Sequence, residues 1–398
     1  MNVPKLRFKE FNDEYNITKL NKIIDVIDGD RGNNYPKKND FYENEFCLFL
    51  NAGNVTKNGF SFKSNQFITK EKDKKLRNGK LLINDIVLTT RGTVGNVAWF
   101  NQKTLYKNIR INSGMVINRI KNSSFLLPEY LYSYMSSPIF KSQVNKMNYG
   151  SAQPQLTVSG INNFNIQYPS INEQKKISTI MLLLDKKIEL QSKKIEGLKL
   201  FKLYSENKLL NSNDSIYWKK IKLNDILIEG NKEPVKNTNN FKKITIKLNL
   251  NGLEFNESKR ETSDRRPFYI REENEIIIGK QNYFNGSIAI VTKKFSGCIC
   301  SNAIMSFKVK EGYNLKYIYL YLSQKRYMKE REFLANGTGQ KELSEKEFLK
   351  FTIKVPEDSV VKKITNIIEK INKKINFENN KLNKLIELKK GLMQNMFV

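Results

Sequence analysis

The sequence predicts an α+β fold. Two tandem blocks, each mixing short strands and helices, are separated by two long helices with the pattern of a coiled coil. Three observations predict it. One ordered set of motifs occurs twice at a constant offset, two long segments repeat apolar residues in heptads, and the stretches between them read as short strands broken by turns.

The duplicated set begins with P-E-Y-L-Y-S-Y-M-S-S at Pro128 to Ser137. It continues through G-S-A-Q-P-Q-L at Gly150 to Leu156 and F-N-I-Q-Y-P at Phe164 to Pro169, and runs into E-Q-K-K-I-S-T-I-M-L-L-L-D-K-K-I from Glu173. The second set reads L-K-Y-I-Y-L-Y-L-S-Q, G-T-G-Q-K-E-L, F-T-I-K-V-P and V-K-K-I-T-N-I-I-E-K-I-N-K-K-I. Tyr317, Gly337, Gln340, Leu343 and Pro356 each lie 187 residues after Tyr130, Gly150, Gln153, Leu156 and Pro169. An earlier echo, K-L-N-K-I-I at Lys19 and K-L-N-D-I-L at Lys222, has an offset of 203. Tandem duplication explains this spacing, with divergence between the anchors.

Taken in order, residues 1–15 read as a polar lead-in. Strands are expected at Phe46 to Leu50, Leu81 to Thr89, Asn96 to Phe100 and Gly114 to Ile120. Asp28-Gly29, Asn78-Gly79 and the glycine pair of R-G-T-V-G (Arg91 to Gly95) supply turns. That G-x-x-G lacks the G-x-G-x-x-G spacing and a following helix, so it reads as a turn and not a phosphate loop. Pro128 opens a helix, because proline in the first turn loses only an N–H that would be unpaired anyway. Tyr130 and Tyr134 share one face. Such a stripe is a core or a base-stacking platform, and the repeat of the spacing at Tyr317 and Tyr321 beside apolar partners favours core. A strand at Phe164 to Tyr168 stops at Pro169. The second block repeats the plan after the linker Asn211 to Ser215, with strands expected at Ile244 to Leu248, Glu275 to Gly279, Ser287 to Thr292 and Ile304 to Val309.

Ser170-x-x-Glu173 has the form of a capping box at the start of the first long helix. Ile177, Leu184, Gln191 and Leu198 alternate with Met181, Ile188, Ile195 and Leu209 in the 3–4 spacing of a coiled-coil seam. Ile364, Ile371, Glu378, Leu385 and Leu392, set against Ile368, Ile375, Leu382 and Met396, repeat it. A polar residue interrupts both seams at the same step, Gln191 and Glu378, and buried polar groups of this kind fix register. The divisions expected are 1–169, 170–211, 212–356 and 357–398.

The formal net charge is +29, with no histidine. Residues 1–172 hold +11 and residues 211–356 hold +10, while the helical segments 173–210 and 357–398 hold +4 each. Two similarly basic globular blocks suggest two surfaces for a polyanion. A chain without histidine has no Ser-His or Cys-His pair and no imidazole metal ligand. There is no P-loop, no N-P-P-aromatic tetrapeptide and no P-D…E-x-K nuclease cluster. Cys298-x-Cys300 lacks further ligands and reads, with its two side chains on one strand face, as small core residues. No apolar run approaches the ~20 residues that span a bilayer, and no signal peptide is visible, so a cytoplasmic protein without a membrane partner is expected.

In their order and duplication, P-E-Y-L-Y-S-Y-M-S-S, the G-S-A-Q-P-Q-L loop, the strand ending at Pro169, E-Q-K-K-I and the D-K-K-I heptads resemble the specificity subunit of type I restriction–modification systems. The resemblance covers both halves of the chain. The second copy departs from it with Val-Lys-Lys-Ile for E-Q-x-x-I, Asn372 where the first has Asp185, and Lys341 where it has Pro154. The family implies two mixed α/β target recognition domains, each reading half of a bipartite double-stranded DNA site. It implies two long helices packed antiparallel about a pseudo-two-fold as a ruler for the spacer. It further implies two methyltransferase subunits that bring S-adenosylmethionine, restriction subunits that bring ATP and magnesium, and no catalysis or cofactor in this chain.

Base contacts are expected in the divergent stretches, since phosphate contacts carry no sequence information directly. The candidates are Arg31, Lys57, Arg77, Arg91 and Arg110 in the first block, and Arg260, Arg265, Arg266, Lys280, Gln281 and Asn282 in the second. The bland reading of each is solvated surface charge. The turns holding Gln153 and Gln340 either approach the phosphate backbone or are purely structural. Two rival functions stand beside this one: a stand-alone DNA-binding protein with a coiled-coil spacer, and a nuclease with an unrecognised active site.

Overall fold

The computed structural model describes residues 3–147, 155–211, 218–256, 266–334 and 342–397. The chain forms two compact units, Met1–Lys193 with Asn379–Val398, and Lys194–Glu378. Each unit therefore holds part of both long helices, Ile171–Leu210 and Asp358–Met396.

In the first unit a four-stranded antiparallel sheet runs in the order Ile24–Asp28, Met115–Ile120, Ile86–Thr89, Val97–Trp99. The strands read off the sequence are present, most of them a residue or two shorter. The largest difference is at Leu81 to Asp85. Asn84 adopts φ 78° there, Leu82 and Ile83 face solvent, and the strand starts only at Ile86. A second layer, Phe67–Ile68, Cys47–Phe49 and Ile109–Arg110, covers the other face of the sheet with its own apolar cluster. The block is closed by pairing of its two ends, Asn16–Lys19 against Asn165–Tyr168.

The tyrosine stripe is core. Tyr130 and Tyr134 are buried, and their hydroxyls donate to the carbonyls of Gln167 (2.8 Å) and Asn165 (2.9 Å), so a large apolar body is buried with its polar tip satisfied. Into the same core come Ile177 and Met181 from the first long helix and Met393, Met396 and Phe397 from the end of the second. The Phe397 ring lies 5.5 Å from Tyr130.

The second unit repeats this with the sheet order Leu227–Glu229, Ile304–Val309, Ile276–Gly279, Ile288–Ile290 and the closing pair Lys219–Lys222 with Thr352–Val355. The Tyr317 hydroxyl donates to Lys354 O at 2.7 Å, the equivalent of Tyr130 to Gln167. The other hydroxyl has moved. Tyr327, at the position of Phe140, now reaches the carbonyl of Thr352 at 2.9 Å. Leu210, which stands 187 residues before Phe397, plugs this core.

Within each unit the two helical segments run antiparallel. In the first, Ile177 and Met181 share a core with Met393 and Met396, and Asp185 pairs with Lys389. In the second, Lys194 meets Glu378 at 2.7 Å, Leu198 packs on Ile368, Ile371 and Ile375, and Leu210 lies with Val361 and Ile364. As one residue number rises its partner's falls. Of the seam residues, Ile177, Met181, Ile195, Ile364, Ile368, Ile371, Ile375 and Leu385 are buried, and Leu184, Ile188, Leu198 and Leu382 are half-buried. Gln191 and Glu378 are buried as well. Glu378 keeps its charge company, with Lys194 and Lys374 approaching one carboxylate oxygen at 2.7 and 3.1 Å.

Two expectations need correction. Residues 3–15, read as a polar lead-in, are docked on the first core. Leu6 N–H donates to Asn395 O, Phe8 packs on the first core and Tyr15 is buried. The Glu173 carboxylate is not spent on a capping box. Arg7 grips it with two hydrogen bonds of 2.9 and 2.8 Å, and the Tyr15 hydroxyl donates to it at 3.1 Å. This Arg7–Glu173 pair is what fastens the leading segment to the helix start. Among the described residues no helix is long and apolar enough to cross a membrane.

Candidate nucleic-acid interface

Both sheets present one end built the same way. In the first unit this end gathers the segments after Asp28 and Thr89 and those before Val97 and Met115. Three of the candidate arginines meet here. Arg31 donates to Asp28 (3.2 Å) and to Ser113 O (3.3 Å), and its side chain is half exposed. Arg77 is tied by its backbone N–H to Asp30 at 2.7 Å and leaves its guanidinium exposed, 3.6 Å from the same carboxylate. A Cβ at residue 32 would lie 2.7 Å from that guanidinium, so Gly32 gives it room. Hydrogen bonds from the N–H groups of Gly32 and Arg77 hold the Asp30 carboxyl below its ordinary range. Arg91 is exposed, with no partner for its side chain among the described residues, and its backbone N–H reaches Gly114 O at 3.3 Å.

Lys57 stands apart. It sits at the tip of the hairpin Val55–Thr56/Gly59–Phe60, on a groove of about 2150 Å³ that it shares with Lys63, Lys103, Lys141, Lys186 and Lys389. Burial, and then the nearby charges of Lys57 and Lys389, push the Lys141 ammonium down. Lysines this far apart in sequence give no local signal, and only the fold collects them.

Arg110 does not belong with the exposed candidates. It is buried, with Nε on Asp73 Oδ1 at 2.5 Å, Nη1 on Asn78 O at 2.7 Å, and Nη2 on Asp73 O and Leu76 O at 2.8 and 3.0 Å. These bonds lock the Lys70–Lys75 helix to the strand that carries Arg110. Removing Arg110 takes one of the two cations from buried Asp73, which keeps Lys80 at 2.7 Å, and strips the carbonyls of Asp73, Leu76 and Asn78 of their donor. Arg110→Met should therefore lower the stability of the first unit by about 3 kcal/mol. Thermal melts check this, and a variant that melts at the original temperature would contradict it.

In the second unit the corresponding end forms a cleft of about 320 Å³ lined by Lys243, Arg266, Lys280, Gln281 and Asn282. Four sequence candidates thus come together, and Lys243 is the one missed, since nothing beyond its place beside a strand marks it. Lys280 lies 3.5 Å from Glu345, which also binds Lys232. Asn282 accepts a hydrogen bond from the side chain of Asn285 at 3.2 Å. Gln153, Arg260, Arg265 and Gln340 lie outside the described residues. The stretches that follow them return to these same places. Leu156 N–H donates to Thr90 O and Leu343 N–H to Lys280 O.

The cysteines are core. Cys47, Cys298 and Cys300 are buried free thiols, burial pushes Cys47 up to about 12, and Arg271 Nε donates to Cys300 Sγ at 2.9 Å. Among the described residues no group of three or more Cys, Asp or Glu is placed to hold a metal ion.

Comparison with known proteins agrees with this architecture. Residues 12–200 and 216–388 match the type I restriction modification DNA specificity domain. The MjaVIII specificity subunit of Methanocaldococcus jannaschii is 23% identical over 52% of this chain and 48% of its own length. The MjaIX subunit of the same organism is 32% identical over 29% of this chain and 27% of its own length. The EcoBI subunit of Escherichia coli is 26% identical over 28% and 22%. The chain thus spans about half or less of the length of these curated relatives. The crystal structure of a type I restriction-modification S subunit from M. genitalium superposes with a TM-score of 0.61 at 15% identity, covering 100% of this chain and 99% of that one. A structure from work on complex assembly and conformational transition of a type I R-M system gives 0.56 at 13% identity, covering 95% and 96%. Duplicated motifs, duplicated sheets and a family match over both halves lead to one conclusion: the chain belongs to the type I restriction–modification DNA specificity family, with the specificity domain present twice in tandem.

Proposed function

We propose that this chain is the DNA-reading subunit of a type I restriction–modification complex. Each unit reads one half of a bipartite double-stranded site, and the long helices set the spacer between the halves. The observation behind this reading is the pair of equivalent sheet ends. One carries Arg31, Arg77 and Arg91 and the other Arg266, Lys280, Gln281 and Asn282, which are side chains that contact phosphates and base edges.

Two methyltransferase subunits dock on the helices and supply the S-adenosylmethionine chemistry. Restriction subunits, with ATP and magnesium, complete the nuclease. Exposed apolar side chains on the helices support paired docking. Leu190 and Leu388 in one unit are matched, at the same 187-residue offset, by Phe377 and Phe201 in the other, all 52–61% exposed. Equivalent patches suit two copies of one partner. The chain is non-catalytic and cytoplasmic in this reading.

The purified chain alone should neither methylate nor cleave DNA and should not bind S-adenosylmethionine. Together with its methyltransferase subunits it should methylate adenine in a bipartite motif. Isothermal titration and methylation assays on the chain and the complex test this, and micromolar cofactor binding by the isolated chain would sink it.

A further inference from the structure

We propose that Arg91 and Gln281 are equivalent base-reading residues, Arg91 taking a guanine in one half-site and Gln281 an adenine in the other. This rests on the DNA-reading function proposed above and assigns its chemistry to two named positions.

The equivalence comes from register. Strand Ile86–Thr89 corresponds to Ile276–Gly279. Thr89 pairs with Met115 as Gly279 pairs with Ile304, and Ile86 pairs with Trp99 as Ile276 pairs with Ile290. The hydrogen bonds around the strands agree. Asn84 N–H reaches Phe100 O and Asn274 N–H reaches Val291 O, with φ 78° and 69° at the two asparagines. Beyond the strand end, Thr90 N–H reaches Gly114 O and Lys280 N–H reaches Ala303 O, and the carbonyls of Thr90 and Lys280 accept from Leu156 and Leu343. The residue after this doubly anchored one is Arg91 in one unit and Gln281 in the other, 190 positions apart. Only then do the loops diverge, Thr90 to Asn96 against Lys280 to Ser287, one residue longer.

Of the sequence candidates described at these ends, these two make no side-chain hydrogen bond or ion pair and keep their donors and acceptors available. Arg31 is drawn to Asp28 and Ser113, Arg77 to Asp30, Lys280 to Glu345, and the Asn282 oxygen to Asn285. Arg91 and Gln281 are exposed and have no side-chain partner among the described residues. Their backbones are fixed by a strand end, which is the placement that precise recognition needs. A guanidinium forks onto O6 and N7 of guanine, and a carboxamide onto N6 and N7 of adenine. One frame holding two different readers is how a duplicated protein would recognise two different half-sites.

The test uses the complete complex with its methyltransferase subunits, with the methylated motif read by single-molecule sequencing. Arg91→Gln should change one guanine of one half-site to adenine, or lose discrimination there by roughly 5- to 150-fold. Gln281→Arg should do the reverse in the other half-site. The untouched half is the control for folding and assembly. If Arg91→Gln methylates nothing, binding of the Arg91→Ala complex to duplexes altered one base pair at a time decides. Loss of discrimination at a single guanine supports the proposal. Uniform weakening with a smaller salt dependence marks a phosphate contact and overturns it, as does an unchanged motif. A wild-type complex that leaves no bipartite methylation would instead refute the DNA-reading function itself.

Discussion

Exchanging residues 16–169 for the equivalent block of a relative should change one half of the methylated motif and leave the other half as it was. The cut points suit the structure. Asn16 pairs with Tyr168 and Lys19 with Asn165, so both ends of the block close on each other and no strand pair is broken. The chief constraint on the donor block lies in the core. Tyr130 and Tyr134 must still meet Phe397, and the packing around Leu131, Ile177, Met181 and Met393 must be matched in volume. A buried aromatic replaced by alanine costs about 3–5 kcal/mol, so a donor lacking the tyrosine pair should fail to fold before its specificity can be read. With the pair kept, the exposed sheet end is exchanged whole, Arg31, Arg77 and Arg91 included. Sequencing of the methylated genome decides. A change in both half-sites would show that the two units do not read independently.

The duplicated frame was legible in the sequence because it rests on periodic and local signals. The 187-residue offset, the tyrosine spacing and the heptads each identify residues that packing requires, and Tyr130, Tyr317, Ile177 and Ile364 are buried as their patterns demand. The interface was less legible. Arg91 and Arg110 look alike in sequence, yet one is open to solvent and the other is a buried clamp. The difference is set by Asp73, which lies 37 residues before Arg110 and reaches it only through the tertiary fold. The lead-in was misread for a similar reason. Arg7 is polar in composition, but its partner Glu173 is 166 residues away. Leu81 to Asn84 looked like strand because it is apolar, and only the positive φ at Asn84 ends that reading. Position 190 residues on from Arg91 could be recognised as its equivalent only once strand register was known, because loop insertions shift the offset away from 187 there.

Inserting one heptad into the first long helix after Lys194 should lengthen the tolerated spacer and leave both half-sites unchanged. Seven residues return Ile195 and Leu198 close to their original face, since the seam repeats every seven. They add ~10 Å of helix, comparable to ~3 base pairs at ~3.4 Å each. The insertion falls beside the ion pair of Lys194 with buried Glu378, so a shifted partner would take Lys194 away from that carboxylate. Some stability should be lost, on the order of 1–3 kcal/mol, because a buried charge with fewer partners is costly. A matching heptad after Lys381, which is Lys194 plus 187, should recover it by lengthening both helices equally. Inserting three or four residues would turn Leu198 away from Ile368, Ile371 and Ile375 and the buried Ile195 off its face, and should abolish folding or assembly. Thermal melts follow the stability of each variant, and single-molecule sequencing reads the spacer of each active complex. A folded, active heptad variant that still methylates only the original spacing would show that something other than the helices sets the distance.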